Sequence, residues 1–400
     1  MVVASVALAG CDRAPAKGVG ALSVEVLPGP TAAPGKFPRF AAGSSLALTW
    51  VEEPSKTAAE LQFSKRGDSG WTAPVRIAAG ERWFVNWADF PALALLDDQR
   101  GIAHFLERSA EGTYDYNVQF ARTEDGGRTW SEPARLHSDP GPGEHGFVSL
   151  VALDSENCAA VWLDGRSTRE NKDATGHGAM SLYTRNVRFD GALGEELLLD
   201  ERVCDCCPTA AVRASNGALL VAYRDRSMDE VRDVNIVRVA PGGVAVQIWA
   251  SGDGWKIPGC PVNGPALAVS GERIAVAWFT LGDDGVARVL CALSEDSGRS
   301  FSAAITLAQG DTQGRVDAVF DGDGRLIVSW LEGDGDVGQW RVARVDRGGT
   351  VLDENPIVEA SSARSSGMAR LSVEGRGALF AFTEVTADGP RVGVRRLTWD

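Results

Sequence analysis

One short pattern recurs along the chain: an apolar run that closes on an aromatic residue, with an acid two places later. Leu48-Thr49-Trp50 leads to Glu52, Ala103-His104-Phe105 to Glu107, Ala160-Val161-Trp162 to Asp164 and Val221-Ala222-Tyr223 to Asp225. Val328-Ser329-Trp330 leads to Glu332 and Phe380-Ala381-Phe382 to Glu384, while Val276-Ala277-Trp278 is followed by Thr280 and breaks the acid rule. The aromatics are 55, 57, 61, 55, 52 and 52 residues apart. So regular a period restricts the chain to a repeat architecture, in which each unit buries its apolar face only against its neighbours.

Ahead of the aromatics stand further apolar runs, Phe90 to Leu95, Phe147 to Leu153, Pro208 to Val212, Pro265 to Val269, Val316 to Phe320 and Met368 to Val373. Behind them come alternating runs such as Asn117 to Ala121 and Arg288 to Leu293, separated by Gly, Asp and Asn turns. Helical spacing with capping signals is nowhere evident. Four strands per period and no helices predict an all-β chain, a β-propeller of seven four-stranded blades, with a six-bladed ring as the alternative if the C-terminal unit packs differently. The last unit lacks a fourth strand, because Trp399-Asp400 follows directly, while Ala21 to Leu27 is an unassigned strand near the start. Pairing the two would close the ring and remove its open sheet edges. The expected division is a signal over residues 1–10, a modified cysteine with linker and candidate closing strand over 11–36, and the propeller over 37–400.

The apolar share of 44% is enough for a sizeable core. A net charge of -14 repels polyphosphate over most of the surface, so nucleic acid is not an expected partner. The first ten residues are small and apolar and end in Leu8-Ala9-Gly10-Cys11, followed by a polar, Pro-containing run. This resembles the lipobox of bacterial lipoproteins, in which the signal is cut before the cysteine and the cysteine carries the lipid. The resemblance implies lipidation at Cys11, a membrane partner and a place in the cell envelope on the periplasmic or surface side. Asp12 resembles the residue that retains such proteins at the inner membrane of enteric bacteria. No Lys or Arg precedes the apolar run, as a signal peptide requires, so the start is expected a few residues upstream.

Thr123-Glu124-Asp125-Gly126-Gly127-Arg128-Thr129-Trp130 and Ser294-Glu295-Asp296-Ser297-Gly298-Arg299-Ser300-Phe301 share the pattern Ser/Thr-x-Asp-x-Gly-x-Ser/Thr-aromatic, three periods apart. Asp125 and Asp296 are expected to accept N–H bonds across a turn, Gly127 and Gly298 to supply positive φ, and Trp130 and Phe301 to pack between blades. These segments resemble the Asp-box, or BNR repeat, of sialidases and related propellers, and Ser64 to Trp71 resembles a decayed third copy. In that superfamily the boxes lie on the face away from the active site. The resemblance implies a glycan-like or anionic small-molecule ligand on the opposite face and leaves glycoside hydrolysis as a candidate activity. A sialidase grips its substrate carboxylate with three arginines and uses a Tyr-Glu pair with an Asp acid/base. Here there are only four tyrosines, and Phe37-Pro38-Arg39-Phe40 stands where an Arg-Ile-Pro is expected, so that set is incomplete.

In a propeller, the loop leading into each innermost strand and the loop after each second strand emerge together around the channel mouth. The repeated acids are placed there, as strand-end residues bonded to neighbouring turns or as contacts to a ligand or cation. Arg166, Arg224 and Arg226 follow second strands, and Arg39, Arg315 and Arg364 lie near the starts of innermost strands; a guanidinium fork suits a carboxylate. Ligand contacts are expected from Arg166, Arg224, Asp225, Arg226, Trp87 and Asn263. The catalytic candidates are Tyr223, Asp225 and Asp164. Trp83, Trp87 and Asp89 form a loop that could stack on a sugar or pack between blades.

Two cysteine segments, Val203-Cys204-Asp205-Cys206-Cys207-Pro208 and Ile257-Pro258-Gly259-Cys260-Pro261-Val262-Asn263-Gly264-Pro265, lead into the innermost strands of blades four and five and so lie side by side. Two chemistries fit: a disulfide from Cys206 or Cys207 to Cys260, worth roughly 3 kcal/mol by loop closure, or thiolates on Cu(I) or Zn²⁺ with His145 from the equivalent loop before blade three. Asp205 and Asn263 would then orient the ligands. Cys158 and Cys291 fall inside strands and read as core thiols. His104 reads as a core or channel residue, and His137 and His177 stand in no motif. Three functions therefore remain open: a sialidase-like propeller lipoprotein, a copper, zinc or redox lipoprotein, and a non-catalytic assembly scaffold.

Overall fold

The computed structural model describes residues 20–43, 45–169, 178–333 and 335–400. The lipobox-like segment with Cys11 and Asp12, and also His177, lie outside the described residues. Among the described residues the chain forms seven sheets arranged as blades, antiparallel apart from a short parallel pairing of Ala42–Gly43 with Ala92–Leu95, with two short 3₁₀ turns as the only helical elements. No helix there is long and apolar enough to cross a membrane.

Each blade runs outward from the central channel in chain order. Blade three shows the plan, with innermost His145–Ala152, then Asn157–Asp164, Met180–Arg188 and outer Leu197–Val203. Blades four, five and six begin at Ala210–Arg213, Ala266–Ser270 and Thr312–Phe320. Second strands are sandwiched between blades on both sides; Arg273–Thr280 is buried throughout, which is why it reads as a continuous apolar run. Blade seven takes three strands from the end of the chain and its fourth from the beginning. Leu22–Leu27 pairs antiparallel with Gly389–Trp399, Leu22 opposite Trp399 and Leu27 opposite Val394.

The repeat now has a physical cause. Each aromatic packs against the preceding blade: Trp50 shares a buried cluster with Ala381 and Val394, and Trp278 with Leu220 and Val234. Side chains two apart on a strand face the same way. The acid at that position therefore meets the buried indole N–H: Trp50 Nε1 donates to Glu52 at 2.8 Å, Trp162 to Asp164 at 2.8 Å and Trp330 to Glu332 at 3.0 Å. Leaving such a donor unpaired would cost roughly 1–3 kcal/mol. Trp278, followed by Thr280, is no exception in substance, because its Nε1 donates to Asp253 of blade four at 2.8 Å.

The two patterned turns adopt one geometry. Asp125 Oδ1 accepts from Thr129 N at 2.9 Å and Asp296 Oδ1 from Ser300 N at 2.9 Å, while Gly127 N and Gly298 N each donate to the leading hydroxyl at 2.9 Å. Gly127 has φ +92 and stands so close to Phe63 of blade one that a Cβ there would fall 2.4 Å from the ring. Both turns join third to fourth strands, on the face opposite the mouth. The channel itself is a space of about 320 Å³ among the innermost strands, lined by Arg39, Ser149, Thr209, Asp317 and Arg370.

Candidate functional site

Three innermost strands are kinked where they reach the mouth. Phe37, Phe147 and Arg315 hold φ of 56, 54 and 56, in the left-handed region that non-glycine residues avoid. Register shifts mark each place, and each kinked N–H is caught by a side chain from elsewhere: Phe37 N by Thr383 Oγ1 at 2.9 Å, Phe147 N by Asp89 Oδ1 at 2.7 Å, Arg315 N by Asn263 Oδ1 at 2.7 Å. Such conformations cost about 1–3 kcal/mol each and persist where the surroundings enforce them, which is characteristic of functional sites. Val262, φ 50, is a fourth.

Phe147 and Val262 lie on the wall of a cavity of about 870 Å³ at the mouth, lined by loops of blades two to five and by Arg364 from the segment entering blade seven. Trp87 and Tyr114 give it aromatic walls. Its carboxylates are Asp115, Glu144, Asp205 and Glu230, and its guanidinium groups are Arg169, Arg226, Arg232 and Arg364. Most of these charges answer one another. Arg226 meets Asp205 and Glu230 at 3.0 Å, Arg232 meets Glu230 at 2.7 Å, and Arg169 meets Asp139 at 2.7 Å. Exposed Arg364 lies with its guanidinium 6.0 Å from the Trp87 ring centre, and Arg315 sits over the same ring at 4.8 Å.

Behind the wall stands a proton-sharing group. The Tyr116 hydroxyl is 2.8 Å from Glu144 Oε1 and 3.2 Å from Asp89 Oδ2, yet it has one proton to give, so one of the two contacts calls for a protonated carboxyl. Burial pushes Asp89 up to about 7, against the opposing pull of Phe147 N–H, Tyr116 and Arg39. It pushes Glu144 up to about 8 and the Tyr116 phenol well above its ordinary value. Glu144 lines the cavity, so this proton is held at its edge. Tyr116 and Glu144 are absent from the residues singled out in the sequence, because neither falls in a repeated motif; Asp89 was visible only as part of the Trp83–Asp89 loop. In that loop Trp83 stacks on Phe105 at 4.5 Å, whereas Trp87 faces the cavity.

The cysteines of the blade-four loop do converge. Cys204 Sγ lies 3.2 Å from Cys207 Sγ and 4.0 Å from Cys206 Sγ, and all three sulfurs are within 4.8 Å of one another. Cys206 and Cys260 of the neighbouring loop both line the cavity. The six described cysteines are free, so the bridge from Cys206 or Cys207 to Cys260 is not formed here. Arg232 Nη1 donates to Cys204 Sγ at 3.1 Å. Burial opposes ionisation of Cys204, but hydrogen bonds from Cys206 and Cys207 and the Arg232 charge overcome it and hold this thiol well below its ordinary value.

His145 is a correction to the expected grouping. It sits not with the thiols but with Asp139 and Asp164, Nε2 lying 3.0 and 3.6 Å from their carboxylates, while His137 stacks on it at 3.7 Å. The reason is that Nδ1 is tied to the carbonyls of Tyr116 and Gly143, which turns the ring toward blade three. Asp205 and Asn263, expected as orienting partners of a metal, are engaged with Arg226 and Met180 N and with the Arg315 kink.

Arg224 is a second correction: 2% exposed, it donates to the carbonyls of Asn263, Arg232 and Phe279, joining blades four and five away from the cavity. Strand alternation explains it, since Tyr223 faces blade three and its neighbour must face blade five. Tyr223 is likewise buried, its hydroxyl on Asp200 at 2.6 Å, and Asp225 is held by Asn235 at 3.0 Å, its pKa raised to about 6 by burial and Asp200. Asp164 is buried under Trp162 and Arg166, and Arg166 is spent on Asp164 and Glu196. Of the expected ligand contacts, Arg226 and Trp87 line the cavity. Cys158 and Cys291 are core thiols, buried and pushed up to about 12, and His104 is a buried acceptor for Ala92 N.

No protein-family model matches the chain. No curated protein matches it either. Among solved structures, a protein of unknown function from Dyadobacter fermentans aligns at 15% identity and TM-score 0.53 over 80% of this chain and 97% of that one, a likeness of fold. Sialidases are also among the structural neighbours. The Trypanosoma rangeli sialidase in complex with the inhibitor DANA aligns at 11% identity and TM-score 0.46, over 83% of this chain and 57% of that one. The Hadza microbial sialidase Hz136 aligns at 12% identity and TM-score 0.46, over 86% and 74%.

Proposed function

We propose that this propeller binds a small, glycan-like anion in the cavity at its mouth, with Glu144 as the proton-carrying group at the wall. The observation that carries the reading is the Tyr116 hydroxyl placed between two carboxyls, one of which lines the cavity. A carboxyl kept neutral near pH 7 can donate to an oxyanion or protonate a leaving oxygen, as an ionised one cannot. The volume suits a ligand of one or two sugar rings. Trp87 supplies an apolar platform, and Arg364, which no cavity carboxylate claims by a hydrogen bond, suits a ligand carboxylate.

The test is calorimetric titration of the full chain with sugar acids, sialic and uronic acids included, beside their neutral counterparts. Saturable binding of an acid, weakened tenfold or more by Arg364→Ala and altered in pH dependence by Glu144→Gln, is the expected result. Failure of every acid to bind, or unchanged binding in Arg364→Ala, would overturn the reading. The Leu8-Ala9-Gly10-Cys11 segment supports a lipid anchor in a bacterial envelope. Metabolic labelling with an alkyne fatty acid should mark the parent and not Cys11→Ala; equal labelling would remove the anchor.

A further inference from the structure

The geometry points to a thiolate metal centre in the cavity wall, in which Cys204, Cys206 and Cys207 hold one thiophilic d¹⁰ cation, Cu(I) or Zn²⁺, with Cys260 closing the set from the neighbouring blade. It goes beyond the glycan reading and does not rest on it. Sulfurs bonded to one tetrahedral Zn²⁺ at about 2.3 Å stand about 3.8 Å apart. The Cys204 sulfur stands 3.2 and 4.0 Å from its two neighbours, which brackets that spacing, with no backbone rearrangement needed to bring the three together.

The sequence makes this triangle by packing Cys-Asp-Cys-Cys into one turn just before the innermost strand of blade four. Soft sulfur donors select soft cations over Mg²⁺ or Ca²⁺. Three or four thiolates on such a cation leave the centre anionic, and Arg232, 3% exposed and bonded to Cys204 Sγ, supplies a compensating charge. Its buried Nε has no hydrogen-bond partner. Cys260 is the exposed member, so the ion reaches the centre from the cavity. The contrast with Asp139, His145 and Asp164 is instructive: there Arg166 and Arg169 already occupy the carboxylates, and the donors are not available to a cation.

The test is made on the full chain, kept reduced and anaerobic, with Zn²⁺ and Cu(I) supplied separately. Metal per chain is read by elemental analysis after passage over a chelating resin. One ion per chain is expected in the parent, falling at least tenfold in Cys206→Ser/Cys207→Ser and weakened in Cys260→Ser, whose exposed position makes misfolding no explanation. Substitution with Co²⁺ should give sulfur-to-metal charge-transfer bands in the near ultraviolet that vanish in the double variant. A parent that retains no more Zn²⁺ or Cu(I) than the double variant overturns the proposal, whether its thiols prove free or joined in a disulfide. Which ion survives a competing chromophoric chelator decides between copper and zinc. The assay contains no sugar, so either outcome leaves the cavity reading to its own test.

Discussion

Two groups of metal-ligand side chains stand in this ring, and they differ in how they are satisfied. Around His145 both carboxylates are claimed: Asp164 by Trp162 and Arg166, Asp139 by Arg169 and His145. Around Cys204 the three sulfurs have chiefly each other and one guanidinium. Residue type made both candidate sites; what separates them is whether fixed cations of the protein already neutralise the donors. A closed cluster contributes to stability, and an open one leaves its chemistry to a ligand.

The largest expected effect falls on the closed cluster. Asp164→Ala removes one partner each from the Arg166 guanidinium and the His145 ring and leaves the Trp162 indole without its acceptor, and should cost about 3–5 kcal/mol in urea unfolding; a loss under about 1 kcal/mol would show that the cluster is not a stability element. The open cluster should behave in the opposite sense. Cys206→Ser should change the metal-free stability little, whereas Zn²⁺ at 100 times its dissociation constant should stabilise the parent by about 2.7 kcal/mol, visible as a higher Tm, and leave Cys206→Ser/Cys207→Ser unmoved.

Because Asp164 belongs both to the ion network and to an indole cap, a third measurement separates the two contributions. Asp253 caps Trp278 from another blade. Asp253→Ala should therefore cost roughly 1–3 kcal/mol, and adding Thr280→Glu, which restores the acid two places after the aromatic, should recover most of it. No recovery would mean that the repeat's acid is not an indole cap.

The smallest effect is in pH. Asp89, at about 7, and Glu144, at about 8, hold protons in the folded chain that the unfolded chain has lost above about pH 4.5, so they favour folding at low pH and that stability is lost as pH rises through their folded values. His104 and His137, both held down to about 3 by burial, act oppositely below about pH 6.5, where the unfolded chain takes up protons that the folded one refuses. The two effects offset each other from about pH 4.5 to 6.5. Between about pH 6.5 and 8 the histidines no longer contribute; each carboxyl proton lowers stability with a slope of about 1.4 kcal/mol per pH unit, opposed by the Cys204 and Cys260 thiols, whose lowered values act in the other sense. The groups facing Asp89 are Arg39, Tyr116 and Glu144. A Glu144→Gln chain should show a flatter decline, and an unchanged slope would remove the shared proton.

The fold was legible because its signal is repeated. One indole capped by one acid is unremarkable, whereas several at a constant spacing report a blade, and the same logic located the closing strand. The mouth was read less well, for reasons that are local. Arg224 looked like a ligand contact because it stands in a charged run, although strand alternation turns it into the interface between two blades. Tyr116, Glu144 and Asp89 come from separate segments and meet only in three dimensions. The left-handed residues at the kinks, Phe37, Phe147 and Arg315, are not glycines, so residue type does not announce them, and the side chains that catch their N–H groups come from distant segments. Cysteine loops of adjacent blades could be placed together because they share one register, but the orientation of His145 depends on two carbonyls that no sequence pattern reveals.

The pairing of Leu22–Leu27 with Gly389–Trp399 sets an order of events. Leu22–Leu27 has no partner until Gly389–Trp399 emerges, which at roughly 5–20 residues per second is a wait of tens of seconds. Through that interval blade seven does not exist and the cluster of Trp50 with Val392 and Val394 has only one of its sides. Folding of this ring is therefore finished by its ends, and a ribosome stalled anywhere before the final strand releases an open sheet edge in place of a nearly complete protein.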